Sequence, residues 1–167
     1  MLFYLSPADY HRFHAPISGH VEHLELLGMD RSSLTVKPYI YKSVNILRRN
    51  RRAVCVVASD KVPGLKVAMV IVGGITVDSI RLSFISCMGD GSGGELPPQS
   101  KAKGREQKED AGPLYLRKGQ EIGSFARGGS AVALLFTRSM ELATERAVGA
   151  IAAGMDFKIG VGDDLAV

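Results

Sequence analysis

The chain has 167 residues, 46% of them hydrophobic and 23% charged, with 19 glycines and no tryptophan. That length and balance describe one globular domain with a single core, and exclude general disorder or two ordinary domains. The longest uninterrupted apolar run, Val67 to Ile75, is far short of the roughly 20 residues that a membrane-spanning helix needs.

The opening residues, Met1 to Pro7, have no basic region ahead of an apolar stretch and so do not read as a signal peptide. A dense motif begins almost at once, from which further upstream sequence is expected. All four histidines, His11, His14, His20 and His23, fall within thirteen residues and form two HxxH pairs. On a helix each pair would share a face and offer two imidazoles to a metal. Pro7, Pro16 and Gly19 disfavour a long helix, and no third ligand is evident, so no metal site is expected. His20 and His23 read instead as polar residues on a strand edge.

The net charge is +4, and Arg48, Arg49, Arg51 and Arg52 cluster around Asn50. Such a cluster suits the phosphates of nucleic acid or anionic lipid, but is more often a solvated turn. No aromatic residue interleaves with these arginines, so nucleic acid is not an expected partner. The runs Ala53 to Val57 and Val67 to Val72 are short, largely β-branched and bounded by Pro63-Gly64 and Gly73-Gly74, which predicts buried strands. From Ser79 to Ser86, apolar Ile80, Leu82 and Phe84 alternate with polar neighbours, as in a strand with one wet face. Cys55 and Cys87 sit in apolar stretches without CxxC spacing and read as buried thiols.

Between Gly89 and Pro113 only Leu96 is large and apolar, so this stretch is expected to be a disordered surface insertion within one domain, 1–167. A strand follows at Ala131 to Phe136, and Ser139 to Val148 has helix-forming composition with Ser139 placed to cap. The fold class expected is mainly β (α+β), a single compact sandwich or barrel-like domain with few short helices.

Tyr4 to Pro16 reads YLSPADYHRFHAP and closely resembles the YLxPxDYHRxHxP signature of phosphatidylserine decarboxylases. Lys118 to Phe125, KGQEIGSF, then Gly128-Gly129-Ser130 and the apolar Ala131 to Phe136, are similar to that family's KGxExGxF segment, its Gly-Ser cleavage motif and the strand after it. Asn45 to Val54 resembles its N-x-R-N-x-R-V stretch, Val72 to Ile80 its V-G-A-x-x-V-G-S-I stretch, and Lys158-Ile159-Gly160 its closing segment. The likeness covers nearly everything outside the insertion. Ala131 departs from the usual threonine, Asp78 from a glycine and Arg51 from an acid.

Removing carbon dioxide from an amino-acid head group leaves an electron pair that no ordinary side chain can accept, so an electrophilic carbonyl is required. The resemblance implies that the chain makes one: Ser130 Oγ attacks the Gly129 carbonyl, and the resulting ester eliminates to leave a pyruvoyl group at position 130. It implies a 1–129 β-chain and a 130–167 α-chain, each fragment the other's partner. A serine hydroxyl needs a base, which the resemblance places at His14. The aspartate that orients this histidine in the family belongs to a segment not represented here, and Asp9 is not its substitute. After maturation the amine of phosphatidylserine would form a Schiff base at residue 130, and His11 is the candidate for protonating the product or positioning the carboxylate. The product would be phosphatidylethanolamine. The lipid substrate implies a peripheral membrane surface, in a bacterial inner membrane or an organelle, with Phe3, Phe13 or the arginines as contacts, and a homodimer is compatible. Two other classes compete: a lipoyl- or biotinyl-carrier-like β module, which lacks a convincing hairpin lysine, and a metal-binding protein using the HxxH pairs.

Overall fold

The structure is a computed structural model and describes residues 1–27, 34–37, 45–74, 80–83, 114–126, 129–141, 148–150, 153 and 158–160. Two antiparallel sheets make up its described part. The larger has six strands in the order β1-β9-β5-β4-β3-β7, built from β1 (Leu2–Leu5), β3 (Gly19–Leu27), β4 (Arg52–Ser59), β5 (Lys66–Gly73), β7 (Tyr115–Leu116) and β9 (Ser130–Phe136). The smaller has the order β2-β8-β6, from β2 (Arg12–His14), β6 (Ile80–Leu82) and β8 (Glu121–Phe125). A four-residue helix, α1 (Ile46–Arg49), precedes β4.

Alternation explains the core. Ala53, Cys55 and Val57 on β4 and Val67, Met69 and Ile71 on β5 are buried every second residue, so one face of the large sheet is continuous apolar surface. Phe13, Ile80, Leu82, Ile122 and Phe125 from the small sheet pack on it in one cluster, giving the sandwich-like arrangement expected of the composition. The opposite face of the large sheet is covered near its Gly73 end by Val36 and Ile46, which meet Val72 and Ala131. Three strands read from sequence extend slightly beyond the expected bounds, as β4, β5 and β9. In β6, Ile80 and Leu82 are buried and Arg81 is exposed, as the alternation requires, while 84–86 lie outside the described residues.

The expected helix over 139–148 is not helical at Ser139 to Glu141; helix is present at 148–150, and 142–147 lie outside the described residues. The 89–113 insertion and Cys87 also lie outside them. The arginine cluster has a local use: Arg52 Nη1 donates to the carbonyls of Arg48 and Asn50, which end α1.

Candidate active site

Ser130 opens β9, with Leu5 of β1 on one side and Gly73 of β5 on the other. Its side chain shares a face with Val132, two residues on, and so points toward the core between the sheets. The residue is 0% exposed, and among the described residues Oγ has no hydrogen-bond partner. A buried hydroxyl without a partner is destabilising by about 1–3 kcal/mol, so this position is not explained by folding. Gly129, just before it, has φ +86°, in the left-handed region that residues with a Cβ resist. Its carbonyl oxygen lies over Gly74, where an added Cβ would come within 2.4 Å.

The histidine motif is fastened to both sides of this junction. Leu5 is opposite Ser130, and the His11 carbonyl accepts from Phe125 N–H at 2.8 Å. Residues 6–11 therefore run from beside Ser130 to beside Phe125. Within that loop the Asp9 carboxylate accepts from Ser6 N–H at 2.8 Å. This bond, with a side-chain hydrogen bond from Ser6 and the positive charge of Lys158, holds the Asp9 carboxyl below its ordinary pKa. Asp9 thus closes the loop. Lys158, from the closing segment, stands within electrostatic reach of the same loop.

His11 Nδ1 meets the Asp9 backbone carbonyl. A carbonyl only accepts, so Nδ1 carries a proton, which leaves Nε2 as the nitrogen turned toward any other partner. That Nε2 is buried and has no hydrogen-bond partner among the described residues. His14 behaves differently. Its ring stacks on Tyr10 at a centroid distance of 5.7 Å, and its Nε2 lies 3.3 Å from the Tyr10 hydroxyl. Because Ser130 Oγ has no partner, the bond expected between Ser130 and His14 is not made in this structure. Tyr10, which sequence reasoning passed over although it stands inside the DYHRxH motif, occupies the nitrogen concerned.

A further motif contact links Ala15 to the KGQE turn: Ala15 N–H donates to Gln120 O at 2.8 Å and Gly119 N–H to Ala15 O at 2.9 Å. The Arg12–Glu121 ion pair, 2.6 Å, ties the same two segments at the surface. His20 and His23 take separate partners, the Tyr115 ring at 5.1 Å and Glu25 at 3.4 Å. No three His, Cys, Asp or Glu converge on one point among the described residues. An open cavity of about 670 Å³ is lined by Tyr115, Arg117, Lys118, Gly119 and Gln120. None of the three candidate residues, Ser130, His14 and His11, lines it. Cys55 is fully buried, and burial pushes its thiol up to about 11, which makes it an inert core residue.

A family model described as phosphatidylserine decarboxylase matches residues 1–162. The chain belongs to the phosphatidylserine decarboxylase family. Relatives named phosphatidylserine decarboxylase proenzyme include one from Ectopseudomonas mendocina, 31% identical over 87% of this chain and 48% of its own length. Another, from Pseudomonas fluorescens, is 31% identical over 95% of this chain and 50% of its own, and one from Nitrosococcus oceani is 35% identical over 80% and 40%. The chain spans about half the length of the curated relatives it matches. No solved structure matches it. Among the described residues no helix is long and apolar enough to cross a membrane.

Proposed function

We propose that this chain carries the self-cleaving and decarboxylating centre of a phosphatidylserine decarboxylase, with cleavage between Gly129 and Ser130. The observation that carries the reading is the unpartnered, fully buried Ser130 hydroxyl directly after a glycine in the left-handed region, beside the histidine loop. Natural proteins satisfy buried hydroxyls unless the group has other work, and an unsatisfied one next to unusual backbone is a signature of reactive sites.

The chemistry follows from the atoms present. Ser130 Oγ loses its proton to an imidazole and attacks the Gly129 carbonyl carbon; the peptide C–N bond breaks and an ester C–O bond forms. Loss of the Ser130 Cα proton expels the Gly129 carboxylate and cuts the chain. Water then hydrolyses the dehydrated residue, releasing ammonia and leaving a ketone at position 130.

His14 is the base for the first step, once its Nε2 leaves Tyr10. His11, oriented by the Asp9 carbonyl, is the proton carrier for the second reaction through Nε2. The pyruvoyl group, covalently part of residue 130, supplies the electrophilic carbonyl that stabilises the electron pair left by carbon dioxide. Fit is supported by Ser130 itself: it is buried, faces the core and keeps its hydroxyl uncommitted among the described residues. The substrate is phosphatidylserine, met at a membrane surface by the peripheral protein, and the product is phosphatidylethanolamine.

The test is intact mass and a denaturing gel of the full-length protein, with carbon dioxide release from phosphatidylserine vesicles. Two fragments divided at 129 and 130, the smaller with a carbonyl-reactive N-terminus, are expected. His14→Ala should stay uncut, and His11→Ala should be cut but slow in turnover. Carbon dioxide release from a protein that remains one chain would sink the proposal.

A further inference from the structure

We infer that Asn50 is a positioning residue for self-cleavage, acting through Gly73 on the Gly129–Ser130 junction; this rests on the function proposed above. Asn50 is 0% exposed and, with Ser130, is one of the buried polar residues among those described. Its side chain is fully engaged with two other segments. Oδ1 accepts from Leu34 N–H at 2.9 Å, while Nδ2 donates to Leu34 O at 2.6 Å and to Gly73 O at 2.8 Å.

Gly73 also donates its N–H to Arg51 O at 3.0 Å. Both polar groups of Gly73 therefore face the 50–51 segment and turn away from β9. Consequently Gly73 and Ser130, which are register partners, form the narrower kind of antiparallel pair, without mutual hydrogen bonds. In such a pair the two side chains project on one face at close range. Gly73 has none, which leaves the space beside Ser130 Oγ clear of a neighbouring side chain from β5. The next residue, Gly74, is where the Gly129 carbonyl rests. Asn50 thus holds the end of β5 on which the nucleophile and the carbonyl it attacks are both laid. An apolar residue at 50 could fill the volume but would release the Gly73 carbonyl to seek another donor.

The alternative is that Asn50 only supports the fold, and the two differ in how fast folded protein cuts itself. Asn50→Asp keeps shape and the acceptor for Leu34 N–H but loses the donor to Gly73. In the full-length protein, fragment appearance is followed per folded molecule, the folded fraction being measured by hydrogen exchange. Parallel samples receive hydroxylamine, which severs any accumulated ester. The expected result is cleavage at least tenfold slower than wild type, with no extra fragment released by hydroxylamine, because the attack itself is slowed. Cleavage within twofold of wild type, or an ester pool as large, overturns the inference. Gly73→Ala gives an independent reading if Asn50→Asp fails to fold: a methyl beside Ser130 should slow cutting tenfold, and an unchanged rate counts against the proposal equally. An uncut wild type would overturn the underlying function as well, whereas a cut wild type with equally cut variants overturns this inference alone.

Discussion

Replacing Ser130 with alanine should make the uncut protein more stable while abolishing its chemistry. The hydroxyl is completely buried and unpartnered, and such a group costs about 1–3 kcal/mol relative to water, where it would be hydrogen-bonded. Alanine removes that penalty and leaves a void smaller than a methyl group, which offsets less than about 1 kcal/mol of the gain. The net gain is about 1–2 kcal/mol, or a rise in Tm of roughly 2–8 °C for a chain of this size. Because wild type would cut itself, the comparison is made in a His14→Ala background, where both proteins stay whole. Urea and thermal melts followed by far-ultraviolet circular dichroism supply the numbers. Equal or lower stability of the Ser130→Ala protein would refute the reasoning, since it would mean that the hydroxyl is satisfied in the folded state.

Two further outcomes test the packing and the titration. At Gly123 an added Cβ would lie 2.2 Å from Arg81 O and 2.5 Å from Phe13 Cζ, so Gly123→Ala should cost about 1–3 kcal/mol in chemical denaturation. Adding Phe13→Leu should recover only part, because the Arg81 carbonyl remains; a neutral single variant would contradict the close packing of β2 on β8. Cys55 has a folded pKa of about 11 against 9.0, so the folded state holds its proton more tightly. That stabilisation is complete below pH 9 and is lost as pH rises toward 11. The stability gap between wild type and Cys55→Ala should therefore narrow by roughly 2–3 kcal/mol over that window, and a constant gap would show the thiol to be solvated.

The strands that could be read from sequence are those whose own residues carry the pattern. β4 and β5 bury alternate apolar residues, β6 does so over three, and β9 is a continuous apolar run, so period and bounding residues sufficed. β3 was legible only as a strand edge at His20 and His23, and its extent stayed hidden because a bulge between Val21 and His23 breaks the two-residue period across a stretch mixed with histidine and glutamate. β1, β2, β7 and β8 are two to five residues long and gain their identity from partners far along the chain, as when Arg12 pairs with Ser124. Helix α1, at four residues, is too short to show a period at all.

For the site, the motifs around His11, His14 and Ser130 supplied the chemistry, since reactive residue types and their neighbours are written locally. What the sequence by itself determined was which side chains can attack, accept a proton or line a strand. Only the tertiary structure decided which polar atoms find partners: Tyr10 on His14, Asp9 behind His11, Asn50 on Gly73, and nothing on Ser130. Those pairings depend on chain segments brought together by burial of the shared core, and a hydrogen bond, acting over about 3 Å, exists only once that packing has set the distance.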